Sequence, residues 1–254
     1  MKPKAGKPEK IRTIFRTLYA RWGRQHWWPA ETPFEVIVGA YLTQNTAWTN
    51  VEKALEQLRL AGVLSIEGIR GIGLADLEKL IRSAGYFRQK AARLKEFVRF
   101  LDCQHGGSLE RMFSQPTETL RAQLMALNGI GPETADSILL YAAQHPIFVV
   151  DAYTRRILER HNLAKSTAKY DDVRVLVEES LTGHELGEAN NIDPTTLPKG
   201  SSHNPSAMST AERCTQTQVF NEMHGLLVGV GKNYCLKSKP NCEACPLGPL
   251  LKKN

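Results

Sequence analysis

Residues 127–135 read Leu-Asn-Gly-Ile-Gly-Pro-Glu-Thr-Ala, and this run constrains the fold more than any other. Two glycines flanking an apolar residue let the chain turn tightly and bring backbone amides close to an anion. Pro132 then opens a helix, whose positive end points at the same place. The pattern predicts two short helices joined by a turn that grips a phosphate through Gly129, Gly131 and Thr134. Such a grip reads no base and is therefore indifferent to sequence. Twenty residues after Gly131, Val149-Val150-Asp151 delivers a carboxylate. A phosphate grip with a carboxylate at that distance points to chemistry on a nucleic acid, not binding alone.

The hydrophobic pattern is helical almost throughout, and no strand pattern stands out. Ile11, Ile14, Phe15, Leu18, Tyr19 and Trp22 recur at spacings of three and four. Thr32-Pro33-Phe34-Glu35 reads as a capping box with proline at the first helical position. The following stretch to about Leu42 is apolar all round, which predicts a buried helix. Further helices are expected over about Ala47–Leu60, Ile66–Arg70, Ala75–Arg82, Arg88–Leu101, Thr117–Leu127, Pro132–Ala143, Ala152–His161 and Tyr170–Leu181. Residues 184–208 are polar, without period, and read as a flexible loop. Ser209 and Glu212 suggest a second capping box, restarting a helix that runs to about Val230.

Among 254 residues the formal charge is +7, which suits a polyanionic partner without proving one. No apolar run approaches the roughly 20 residues of a membrane span. Met1–Lys10 is charged and carries no apolar export core. With five cysteines, the expectation is a reducing, cytoplasmic setting and metal rather than disulfides.

Together the glycine hairpin, Asp151 and the C-terminal cysteine loop resemble the helix-hairpin-helix glycosylases of the endonuclease III superfamily, over roughly Ile11 to Leu247. The resemblance implies an all-α fold of two helical domains with duplex DNA in the cleft between them. One domain would be the six-helix block 33–145, and the other would combine 8–32 with 146–254. By the same resemblance the protein is a nucleoid-associated monomer whose partner is double-stranded DNA containing damaged bases.

Asp151 is then the candidate catalytic carboxylate, since cleaving a base–deoxyribose bond builds positive charge on the sugar. An N-cap for the helix starting at Ala152 is the structural alternative, and the two roles are compatible. Family members that also cut the backbone carry a lysine two residues after the second glycine. Here that residue is Glu133, which cannot form an imine, so hydrolysis by water alone is implied.

Trp27-Trp28-Pro29, Phe34-Glu35 and Leu42-Thr43-Gln44-Asn45-Thr46 with Trp48 resemble the bacterial 3-methyladenine glycosylases of this superfamily. Alkylated purines are cationic, and aromatic faces attract cations. The implied pocket residues are Trp27, Trp28, Trp48 and Lys232, with Gln44 at the DNA-facing end of its helix. Core packing is the competing reading for the tryptophans, as it is for Trp22. Two rival functions remain at this level: a glycosylase for mismatched or oxidised bases, and a non-catalytic binder of damaged DNA.

Cys235-x6-Cys242-x2-Cys245 matches three ligands of the family's [4Fe–4S] site. The fourth is expected at position 251, which is Leu251. A cluster held by three cysteines, a lost cluster with its loop retained, and a zinc site are all open. Arg88, Lys90, Arg93 and Lys95 share one helix, read either as a DNA-facing stripe or as a solvated face. Lys237 and Lys239 belong to the cysteine loop.

Overall fold

The structure, a computed structural model, describes residues 6–186 and 204–251. Most of the 184–208 segment therefore lies outside the described residues. Among those described there is no strand, and no helix is long and apolar enough to cross a membrane. The all-α expectation holds. Chain contacts divide the protein into two compact units, Ala30–His145 and a second made of Met1–Pro29 with Pro146–Asn254.

The Ala30–His145 unit is built around α2 (Pro33–Leu42), in which every residue from Phe34 on is buried. Thr32 caps it by accepting from the Glu35 amide. The reciprocal half of the box differs from expectation. Glu35 accepts from the Glu31 amide (3.0 Å) and from Arg59 (2.7 Å), because its side chain is buried and Arg59 supplies the matching charge. Around α2 lie α3 (Trp48–Leu60), α4 (Ile66–Gly71), α5 (Leu74–Leu80), α6 (Phe87–His105), α7 (Leu109–Phe113), α8 (Thr117–Met125) and α9 (Pro132–Ser137). The sequence reading missed α7, a five-residue helix capped by Ser108. After α9 the helix widens into a π turn over Ile138–Ala142, closed by Ala143 N–H donating to Ile138 O (3.0 Å).

The second unit packs α1 (Lys7–Trp22), α10 (Ala152–Arg160), α11 (Tyr170–Leu181) and α13 (Thr215–Asn233) on one another, with the short α12 (Ala207–Thr210) between α11 and α13. Two expectations fail here. The capping box is Ser206 with Ser209, and it starts α12, not the long helix. That long helix, α13, begins at Thr215, and residues 217–231 are all buried. Gly231 lets it touch α10, since a Cβ there would collide with the Tyr153 ring.

The basic stripe on α6 is also corrected. Lys90 is buried and donates from Nζ to Leu42 O (2.9 Å) and Ala84 O (2.8 Å). Lys95 donates to Arg70 O and Ile72 O. Only Arg88 of the four is exposed. Two of the cations, Lys90 and Lys95, close backbone carbonyls that loops and helix ends leave open.

Burial, aided by the charge of Arg93, pulls the Lys90 ammonium down to about 8. An unfolded lysine titrates near about 10.4. Between those values the unfolded chain holds a proton that the folded chain has lost, so stability rises with pH. Denaturant unfolding at pH 7.5, 9 and 10 is expected to show this rise, and Lys90→Met to flatten it.

Candidate functional site

Two groups of residues stand out, one in each unit. In the Ala30–His145 unit the hairpin turn is Leu127–Gly131. Gly129 has φ +78°, a left-handed conformation, and Ile130 N–H closes the turn onto Leu127 O (3.1 Å). Gly129 also needs its lack of a side chain, because a Cβ there would run into the Arg93 guanidinium. Gly131 differs: it caps α9 with φ −93°, and a Cβ would meet nothing within 4 Å. The space over Gly131 is open.

Gln44 fastens the hairpin from the end of α2. Its Nε2 donates to Gly129 O (3.0 Å) and Thr134 Oγ1 (3.0 Å), while Arg93 Nη1 donates to its Oε1 (3.1 Å). The sequence places Gln44 at a helix end and Arg93 in a basic helix stripe, but does not reveal the bond between them. Beneath the turn, Arg121 on α8 grips Asp136 on α9 through two parallel bonds of 2.7 and 3.2 Å, both side chains buried. Glu133 is exposed, and Trp48, half-buried, is the first residue of α3.

In the second unit Asp151 caps α10, its Oδ1 accepting from the Thr154 amide at 2.7 Å. The other oxygen, Oδ2, lies 3.7 Å from Nε2 of His224 on α13. Burial drives the His224 pKa down, partly opposed by Asp151, so the imidazole is neutral near pH 7. Its ring meets Trp27 and Phe148 edge-on, with centroids 6.2 and 6.3 Å away. Trp27 packs edge-on against Trp28 across a cis peptide bond, and both are buried. Lys232 Nζ stands 5.5 Å above the Trp27 ring, within cation–π range. Trp22 is wholly buried beneath Tyr234, in the core.

His224 and Glu222 escaped the sequence reading. Glu222 accepts from the Gln25 amide (2.8 Å) and from Gln218 Nε2 (2.6 Å), and burial pushes its carboxyl pKa up. The signal was present: Gln218, Asn221, Glu222 and His224 are polar residues inside a helix otherwise patterned for complete burial.

Cys235, Cys242 and Cys245 line one cavity with Arg160, His161 and Leu251. Arg160 donates to Cys235 Sγ (3.1 Å), and burial raises the Cys245 thiol. Three cysteines thus line one cavity, together with Leu251, the residue at the position expected for a fourth. Among the described residues no group of His, Cys, Asp or Glu is arranged to hold a metal ion. Cys103 and Cys214 are exposed elsewhere.

Residues 38–182 match the family described as HhH-GPD superfamily base excision DNA repair protein. The chain belongs to that superfamily. It is a DNA repair glycosylase by that membership and by its likeness to a Methanocaldococcus jannaschii protein with a proposed role as a DNA repair glycosylase, 38% identical over 246 residues and 96% of each chain. Among solved structures it is similar to the H. pylori 3-methyladenine DNA glycosylase bound to 1,N6-ethenoadenine. The TM-score is 0.68 at 25% identity, covering 90% of this chain and 98% of that one. An endonuclease III trapped as a covalent intermediate with DNA shares the fold, with TM-score 0.70 at 20% identity over 96% and 95%.

The two hairpin glycines are expected to behave differently. Gly129→Ala forces a left-handed residue and a clash with Arg93, for a loss of about 1–3 kcal/mol in unfolding free energy. Gly131→Ala should leave stability within about 0.5 kcal/mol. Urea titrations of the two variants check this, and equal losses would refute the geometry.

Proposed function

We propose that this glycosylase hydrolyses the N-glycosidic bond of alkylated purines such as 3-methyladenine, without cutting the backbone. The observation that carries the reading is a run of contacts leading from Asp151: His224 beside Oδ2, Trp27 against His224, and Lys232 over Trp27. Aromatic rings beside a fixed carboxylate suit a flipped, cationic base whose departure leaves positive charge on the sugar. The similar H. pylori enzyme, bound to a modified adenine, supports the same substrate class.

In this scheme Asp151 does two things. Held by the Thr154 amide, it stabilises the sugar cation through Oδ2, and it orients or deprotonates the attacking water. Trp27 and Trp28 stack the base, with Lys232 contacting the lesion region. Gly129, Gly131 and Thr134 hold a phosphate in the open space over Gly131. A cationic base leaves readily, so little acid catalysis is required. Glu133 occupies the position where a lysine would form an imine with the sugar, which argues for a monofunctional enzyme.

We further propose that Cys235, Cys242 and Cys245 bind a [4Fe–4S] cluster with one iron left to an outside ligand. Such a cluster would supply a rigid, charged fold for the loop bearing Lys237 and Lys239, next to DNA phosphates.

Four measurements test these readings. Methylated duplex DNA should release 3-methyladenine with wild-type protein, and Asp151→Asn should lower the rate by at least about 100-fold while damaged-DNA binding persists. Thymine glycol and T·G duplexes serve as the neutral-base panel, and faster release from them would displace the alkylated-purine assignment. Borohydride should trap no protein–DNA adduct; a trapped adduct would contradict the Glu133 argument. Anaerobically purified protein should absorb near 400 nm and contain iron and sulfide, with Cys245→Ser losing both.

A further inference from the structure

Asp151 Oδ1 is committed to the Thr154 amide, so only Oδ2 is available to face a substrate. The titratable group beside Oδ2 is His224, 3.7 Å away through Nε2. That separation is too long for a hydrogen bond. Catalytic contacts are often long without substrate and tighten in the complex, so the gap does not disqualify the pair.

The surroundings of His224 decide its charge. It comes from the middle of α13, where residues 217–231 are all buried, and its ring is enclosed by Trp27 and Phe148. Asp151 favours imidazolium, and desolvation outweighs it. On α13 the neighbouring acid, Glu222, is turned toward Gln25 and Gln218 and is itself pushed toward neutrality by burial. Lys232, one further cation of this helix, stands over the far partner ring, Trp27.

Neutrality matters for the chemistry. An imidazolium next to Asp151 would form an ion pair and cancel the negative field that a sugar cation needs. A neutral imidazole with its proton on Nε2 does the opposite. It donates to Oδ2, holds the carboxylate in one rotamer, and leaves its negative charge uncancelled.

We propose that His224 is the positioning residue for Asp151: a neutral donor that aims Oδ2 at the sugar without quenching its charge. This rests on the reading of Asp151 as the catalytic carboxylate. His224 itself touches neither base nor sugar in this scheme. Its enclosure by Trp27 also ties the carboxylate to the ring proposed to stack the base, so a shift of that ring on base entry is transmitted to Oδ2.

The experiment measures single-turnover base release, binding to an abasic-site analogue duplex and thermal unfolding. It compares wild type, Asp151→Asn, His224→Leu and His224→Asn, using the duplex that wild type processes best. His224→Leu removes the donor, and His224→Asn keeps an N–H donor that cannot titrate. The expected result is a release rate about 10- to 100-fold lower for His224→Leu, the worth of one hydrogen bond to a charged group. Analogue binding should be unchanged, and His224→Asn should recover much of the rate. In acid, the rate of wild type should fall further than that of His224→Asn, because only the imidazole can become charged and pair with Asp151. If Asp151→Asn is inactive while His224→Leu releases base at the wild-type rate, the positioning role is overturned and the Asp151 reading stands. If Asp151→Asn is active, the Asp151 reading falls and this inference with it. Should His224→Leu fail to fold, His224→Asn decides alone: equal acid limbs in wild type and His224→Asn overturn the proposal.

Discussion

The buried pair of Arg121 and Asp136 is the interaction on which the glycine hairpin depends. Helices α8 and α9 are nine and six residues long, far below the length at which a helix holds itself together in water. The turn between them contributes one backbone bond and places Gly129 in a left-handed conformation. A bidentate guanidinium–carboxylate bond fixes angle as well as distance, which a greasy contact does not. Burial makes this a specifying rather than a simply stabilising device, since desolvating both charges offsets much of their attraction. The turn is then clamped from outside by Gln44 and Arg93. Backbone amides can serve as an anion site only if they do not drift, and three side chains outside the turn itself see to that.

The second unit solves a different problem. A carboxylate useful to a cationic transition state must be fixed, ionised and poorly solvated at once. The helix cap fixes it, because the Thr154 amide is a donor that cannot rotate away. The burial comes from α13, whose close approach to α10 exists because Gly231 leaves room for Tyr153. One glycine in a long helix, weak by propensity, is thus tied to the surroundings of a carboxylate far off in the chain.

Much of this was legible in the sequence, and the misses have physical causes. Tyr170–Leu181 was placed to the residue, because its apolar period is clean and a proline-free, capped segment leaves no ambiguity. Asp151 was legible as a cap from its position before Ala152. By contrast α13 was started six residues early, at a serine box that belongs to α12: capping motifs mark a helix start but not which helix. The π turn at Ile138–Ala142 leaves no mark in an apolar run, since widening by one residue keeps every side chain buried. The α6 cations were misread because composition cannot tell a lysine in water from one, like Lys90, spent on two carbonyls. The partners of Arg93 and His224 were invisible for the same reason: they are 36 or more residues away in the chain.

The charge arrangement around Trp27 sharpens what the pocket can select. Lys232 already stands over one face of that indole, so the ring's quadrupole is partly engaged before any base arrives. A cationic purine on the same side would meet a like charge. On the proposed reading, the base must therefore use the opposite face or displace Lys232, and attraction to the ring is not by itself the source of preference. The net negative charge available to a cation comes from Asp151, because His224 is held neutral and Glu222 is pushed toward neutrality. That charge acts on the sugar more than on the base. Selectivity for alkylated purines would then come chiefly from how readily a base leaves. A cationic base needs only the carboxylate, whereas a neutral one needs a proton donor as well.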